Sequence, residues 1–260
     1  MIFQSFCLKS NYEVKLYSSS GREILNLQHI KKELEYLMCE GEIFDGEIYR
    51  HGMPLNQILS IARRDVNPAS NSAQLSLSYY VFDAIRINKK NETDTFAIRF
   101  ADLRLRFYES AKIYMNKHVI LLETILCITA DEADTFYTLF IKDGYEGMMY
   151  RQKEGLYEFK RSYGIQKRKD FKEEDFIILD VEDGQGRAAN LAVNVICYSP
   201  AAGESFKAPI NGTEEYRTEL FNNRTLWEGR YATVRFLNYS EYGIPVIPKC
   251  VAIRDQIGLD

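Results

Sequence analysis

At 260 residues, 46% hydrophobic and 27% charged, the chain is long enough for one large or two ordinary domains with well-filled cores. The five cysteines (Cys7, Cys39, Cys127, Cys197, Cys250) are scattered, form no C-x-x-C and leave one over if paired, which argues against a disulfide framework and a structural zinc site. A net charge of −4 and a pI near 5.6 argue against polyanion binding over the whole surface, so any nucleic-acid contact must be local. No apolar run approaches the roughly 18 residues of a membrane span, and the start MIFQSFCLKS lacks a basic n-region and an A-x-A cleavage site. The expectation is a monomer with no membrane partner, cytoplasmic or, in a host, nucleocytoplasmic.

In chain order, residues 1–17 alternate apolar and polar positions around a Lys9-Ser10-Asn11 turn signal, which predicts a hairpin. The spacing of Ile30, Leu34, Leu37 and Met38 predicts a helix over 29–40, and a strand follows over 43–49. Pro54 at a first-turn position opens a second short helix, Asp65 to Ser72 reads as a loop, and 79–85 as a strong strand. Over 95–116, Phe96, Phe100, Leu103, Phe107, Ala111 and Tyr114 recur at helical spacing, with Arg99, Arg104, Arg106 and Lys112 expected on a solvated face. A strand over 118–129, an acid-capped helix over 131–142 and a strand over 146–150 come next. From Phe176 the pattern changes to short β-like runs (176–181, 191–198, 231–237, 244–253) with one helix signal at Thr213–Leu220. Such a region fits a small five-stranded Greek-key barrel of the OB type. Two domains are therefore expected, 1–172 and 173–260, with Lys172-Glu-Glu-Asp175 as a hinge.

Positive charge is concentrated between Arg151 and Lys172, where eight basic residues face three acidic ones. In an acidic protein that concentration suggests a phosphate site. Lys167 and Lys169 stand two apart, so on a strand both point to one side and can hold one phosphate, although lysines also decorate edge strands to block aggregation. Phosphoryl and nucleotidyl transfer also require Mg²⁺, which takes oxygen ligands from one or two acids. Glu47 in FDGEIY and Glu146 in YEGM both sit where a glycine turn feeds a strand. Each alone reads equally as a turn acid, and Phe82 in YYVFDAI as either a core ring or a platform for a base.

In order and spacing, FDGEIY, YYVFDAI, YEGMMYR and IQKRK resemble four motifs of the covalent nucleotidyltransferases, specifically the ATP-dependent DNA ligases of the small phage and virus type. The tail GRYATVRFLNYSEYGIPVIPKCVAIRD, ending in Ile253-Arg254-Asp255, resembles the closing strands of the ligase OB domain. The resemblance implies an α+β fold: an ATP-grasp-like nucleotidyltransferase domain of antiparallel sheets with helices, followed by a C-terminal OB-fold β-barrel. It implies ATP as cofactor through its AMP moiety, Mg²⁺, nicked double-stranded DNA as partner, and service in DNA repair, replication or recombination. By the same resemblance Glu47 binds the ribose or assists the metal, Glu146 takes part in metal binding, and Phe82 stacks on adenine. Lys167 and Lys169 meet the α-phosphate, and Arg161 matches a basic residue the family often carries just before the lysine pair.

The family's nucleophilic motif K-x-D-G-x-R is absent: none of Asp45-Gly46, Asp143-Gly144 and Asp183-Gly184 follows a lysine two residues earlier. The motif is expected just ahead of Met1, as if the frame had been entered one strand late. Ser19 stands where relatives carry an arginine for the 5′-phosphate, with Arg22 as a possible substitute, and Val246-Ile247 replaces an Arg-Phe pair. Two alternatives remain open at this stage. One is a non-catalytic nick-binding module with the ligase shape; the other is an RNA ligase or capping-type nucleotidyltransferase.

Overall fold

In a computed structural model, residues 3–64, 67–86, 94–113, 116–160 and 162–254 are described; Asp65, Tyr114, Arg161 and Asp255, named above, lie outside them. Two compact units divide the chain, Met1–Arg168 and Lys169–Asp260. The division comes earlier than the expected one after Lys172, because Lys172 already pairs with Phe236 in the second unit's sheet. Lys172 to Asp175 is likewise no hinge; it is strand, in register with Phe236 to Thr233.

The main sheet of the first unit contains β1 (Phe3–Ser10), β2 (Glu13–Ser18), β3 (Glu42–Tyr49), β4 (Ser78–Arg86) and β5 (Val119–Leu121), in the order β2-β1-β3-β4-β5. Its neighbours are antiparallel except for the parallel β4/β5 pair. Strand alternation sorts the side chains. Cys7, Leu16, Phe44, Ile48, Tyr79 and Val81 are buried on one face, while Phe6, Tyr17, Asp45, Glu47, Tyr49, Tyr80 and Phe82 stay half-buried on the other. The buried face shares one core with α1 (Gln28–Leu37) through Ile30, Leu34 and Leu37, and with α2 (Leu55–Ala62) through Ile58 and Ala62. Between α2 and β4 a one-turn helix, α3 (Asn71–Gln74), capped by Ser70, interrupts the expected loop. The long helix α4 (Phe96–Ile113) adds Phe96, Phe100 and Leu103 to this core.

Three expectations about this unit are corrected. Only the first turns of α4 bury an apolar stripe; Ala111 is exposed. Two of its arginines are not solvated: Arg99 and Arg106 reach the buried carboxylates of Asp83 and Glu42. The strand expected over 118–129 ends at Leu121, where its parallel ladder on Tyr79, Tyr80 and Val81 stops because β4 bulges at the next residue. Helix α5 (Ala130–Lys142) then starts on a capping box, in which Thr129 accepts from the Glu132 amide and Glu132 accepts from the Thr129 amide. Behind it, β6 (Gly147–Arg151) and β7 (Ile165–Lys169) form a two-stranded sheet.

The second unit is a five-stranded antiparallel sheet of β8 (Lys172–Asp183), β9 (Ala192–Ser199), β10 (Glu204–Pro209), β11 (Tyr231–Phe236) and β12 (Lys249–Arg254), ordered β10-β9-β8-β11-β12. A parallel bridge between Ile210, just past β10, and Cys250 in β12 brings the two outer strands together. They enclose Phe176, Ile178, Val195, Cys197, Phe206, Val234 and Phe236. Helix α6 (Glu214–Asn222), capped by Thr213, adds Leu220 to that core, and α7 (Arg224–Trp227) follows it, where the Trp227 indole donates to the Leu220 carbonyl at 3.2 Å. Strand β10 escaped the sequence reading because Phe206 and Ala208 are its sole buried apolar pair. The expected run 244–253 is shorter in fact, because a turn with Ile247 at φ 55° precedes β12.

Candidate active site

The site begins with a fault in the β3/β4 ladder. Asp45 pairs with Asp83 but Gly46 pairs with Val81, so Phe82 is the extra residue of a β-bulge. Gly46 allows this closeness: a Cβ there would lie 2.6 Å from both the Tyr79 ring and the Tyr80 carbonyl. Tyr79 cannot yield, being fully buried with its hydroxyl donating to the Phe44 carbonyl at 2.9 Å. Gly46 is thus fixed by packing, and the strand leaves Glu47 and Phe82 on the half-buried face.

Glu47 lacks ready compensation for its burial. Desolvation pushes its carboxyl up to about 8; Lys167 pulls the value down, while Glu146 and Asp45 push it further up. Two other carboxylates and one lysine thus act on Glu47 across the volume in front of it. Within it Lys167 Nζ lies 3.9 Å from Glu146, an ion pair still open to water. Lys167 is aimed by its neighbour: the Arg168 guanidinium pairs with Asp134 on α5, lies 4.0 Å over the Tyr137 ring and donates to the Tyr150 hydroxyl at 3.2 Å. Strand alternation then turns Lys167 and Lys169 to the opposite side of β7. Lys169, half-buried, is the first residue of the second unit.

Beside this volume Asp83, 1% exposed, accepts a two-pronged fork from Arg99 at 2.8 and 2.9 Å and a third bond from Arg151 at 2.6 Å. The Arg151 guanidinium stands 5.0 Å from the Phe82 centroid. Tyr157 closes the group by donating to Asp45 at 3.2 Å. On the far side, Tyr49 meets Tyr80 edge-on and bonds His51 at 2.9 Å, and His51 lies 4.9 Å from the Tyr145 ring.

Of the residues read from sequence, Glu47, Glu146 and Lys167 come together, and Phe82 lies on the same sheet face as Glu47. Arg161 lies outside the described residues. Ser19 and Arg22 are exposed in the turn after β2. Sequence reasoning missed Asp45, Asp83, Arg99, Arg151 and Tyr157. A signal for Arg99 existed, because it falls inside the Phe96, Phe100, Leu103 stripe at helical spacing. Among the described residues no three His, Cys, Asp or Glu side chains are grouped to hold a metal. The acid pair Glu47 and Glu146 still suits Mg²⁺, which keeps water and takes one or two carboxylates together with substrate oxygens.

The fold has known counterparts. The chain superposes on the structure titled Pmar-Lig_PreS3 with a TM-score of 0.80 at 20% identity, covering 96% of this chain and 61% of that one. A structure from a study of Lig E DNA ligases gives 0.73 at 16% identity (97% and 89% covered), and the ATP-dependent DNA ligase of bacteriophage T7 in complex with ATP gives 0.54 at 15% (97% and 89%). Residues 5–169 match the family model of the ATP dependent DNA ligase domain, and the chain belongs to that family. It is 28% identical to the DNA ligase of African swine fever virus (isolate Pig/Kenya/KEN-50/1950) over 267 residues, covering 97% of this chain but 61% of the viral protein. Against the DNA ligase of Enterobacteria phage T4 the identity is 22%, over 84% of this chain and 53% of that protein.

Proposed function

We propose that this chain carries the adenylate-binding and strand-joining site of an ATP-dependent DNA ligase. The first unit is the adenylation domain and the second an OB-fold, acting as a monomer on nicked double-stranded DNA in the cytoplasm or the nucleocytoplasm, in repair, replication or recombination. What carries the reading is the meeting of Glu47, Glu146 and Lys167 beside the Phe82 sheet face, all inside the family-matched segment. Phe82 stacks on adenine, Glu47 bonds the ribose, and Lys167, with Lys169 two residues on, holds the phosphate. Glu47 and Glu146 hold Mg²⁺, which when bound offsets negative charge on the phosphate oxygens.

A polypeptide of these 260 residues alone, which contain no Lys-x-Asp-Gly, is expected to act on ends that are already adenylylated. In that reaction the 3′-hydroxyl oxygen attacks the 5′-phosphorus, the bond from that phosphorus to the AMP phosphate breaks, AMP departs, and the hydroxyl proton passes to solvent. The protein's share is alignment and charge compensation. The test is sealing of a nicked duplex whose 5′-end carries AMP, beside incubation with α-labelled ATP and Mg²⁺. Sealing that Lys167→Met cuts by about 100-fold, and no label surviving denaturation, is the expected pair of results. Nick binding without sealing of either end would favour a non-catalytic clamp, and label on any lysine would overturn the account of the missing nucleophile.

A further inference from the structure

Arg151 ends β6, the strand that Glu146 introduces, and it touches two successive residues of β4. Its Nη1 lies 2.6 Å from the Asp83 carboxylate, and its guanidinium carbon lies 5.0 Å from the ring centroids of both Phe82 and Phe96. The anchor is rigid, since Asp83 is also forked by Arg99, itself buried. The ring is the part in need of an anchor. Phe82 is the bulged residue, outside the regular β3/β4 pairing, and it is half-buried. A planar cation over one side of a ring restricts its tilt and draws on its π-density while leaving the rest of the ring for a base.

We propose that Arg151 is a positioning residue for adenine: pinned by Asp83, it fixes the orientation of the Phe82 ring on which the base stacks. The proposal rests on the reading of Phe82 given above. It implies that Arg151 acts on the base and not on the phosphate, although it shares a strand with the residues following Glu146.

The test is calorimetric binding of AMP and of ribose 5-phosphate, a probe without the base, to the full chain and to four variants. Arg151→Lys and Arg151→Met should weaken AMP by about three- to tenfold and leave ribose 5-phosphate unchanged. Arg99→Lys loosens the same carboxylate without removing the cation from Phe82, and should leave both probes within about twofold. Phe82→Leu should weaken AMP alone. Equal effects of Arg151→Lys and Arg99→Lys on AMP, or equal loss of both probes in the Arg151 variants, would overturn the proposal while leaving the Phe82 reading intact. If the wild-type chain binds AMP no better than ribose 5-phosphate, or Phe82→Leu binds AMP as the wild type does, the Phe82 reading falls and the proposal with it. Should Arg151→Met fail to fold, Arg151→Lys, which keeps the charge on Asp83, decides alone.

Discussion

Strand β3 carries a glutamate near each end, and the fold treats the two oppositely. Glu42, 1% exposed, is held by Arg106 at 2.6 Å, by Arg86 at 3.4 Å and by the Cys39 amide at 2.8 Å. Glu47 faces Glu146 and Asp45, with Lys167 as counter-charge, and burial lifts its carboxyl to about 8. A buried carboxylate surrounded by arginines is a structural joint; removing one side leaves charge stranded. A carboxylate buried without that compensation is costly to the fold, and such groups gather where a ligand or cation will complete them. Asp83 repeats the first pattern on β4, one residue from the ring assigned to adenine.

The two glutamates should part most widely in stability. Glu42→Gln should destabilise the first unit by about 3–5 kcal/mol, because the Arg106 and Arg86 charges lose their buried partner, while Glu47→Gln should be neutral or stabilising at pH 8. Urea denaturation of the two variants side by side checks this, and a larger loss for Glu47→Gln would invert the argument.

The pH dependence sharpens it. Glu47 has an ordinary value of 4.5 and a folded value of about 8. Above 4.5 the unfolded chain releases a proton that the folded chain keeps, so its contribution is complete below 4.5 and disappears as pH rises to about 8. A pH series of denaturation midpoints should show wild-type stability falling across that window relative to Glu47→Gln. A smaller effect belongs to the hinge of the two strands: Gly46→Ala, which forces a methyl against Tyr79, should cost about 1–3 kcal/mol and shift Phe82, read as weaker AMP binding in calorimetry.

Glu47, Glu146, Lys167 and Lys169 were legible in the sequence because each stands in a dense local pattern: an acid beside a glycine, or lysines at a spacing of two; Gly46 itself proves to lie within β3 and not in a turn. The arginine–carboxylate contacts behind these residues were hidden, for two reasons. Asp83 and Arg151 are distant in the chain, and their pairing depends on how β6 meets β4. Arg99 and Arg106 carry charge on a helix whose exposed face is the natural home for it, so only the presence of Asp83 and Glu42 on neighbouring elements makes burial tolerable. The Phe82 bulge was illegible too: YYVFDAI reads as an ordinary apolar strand, and the extra residue shows up in its register with β3.

The smallest expected effect separates Lys167 from the arginine clamps. Its amine sits 3.9 Å from Glu146 and favours the ionised form of Glu47, yet its side chain is 40% exposed, so water screens much of the attraction. Lys167→Met should therefore leave stability below pH 5 unchanged, where Glu47 is protonated in the folded chain. Above that, the variant loses the group that holds the Glu47 value down, and the fall of stability with pH should extend to higher pH. The added loss must vanish in the double variant Glu47→Gln/Lys167→Met if it acts through Glu47. A loss of the same size at every pH would instead make Lys167 a structural residue, as Arg106 is for Glu42, and erase the distinction between the two ends of the strand.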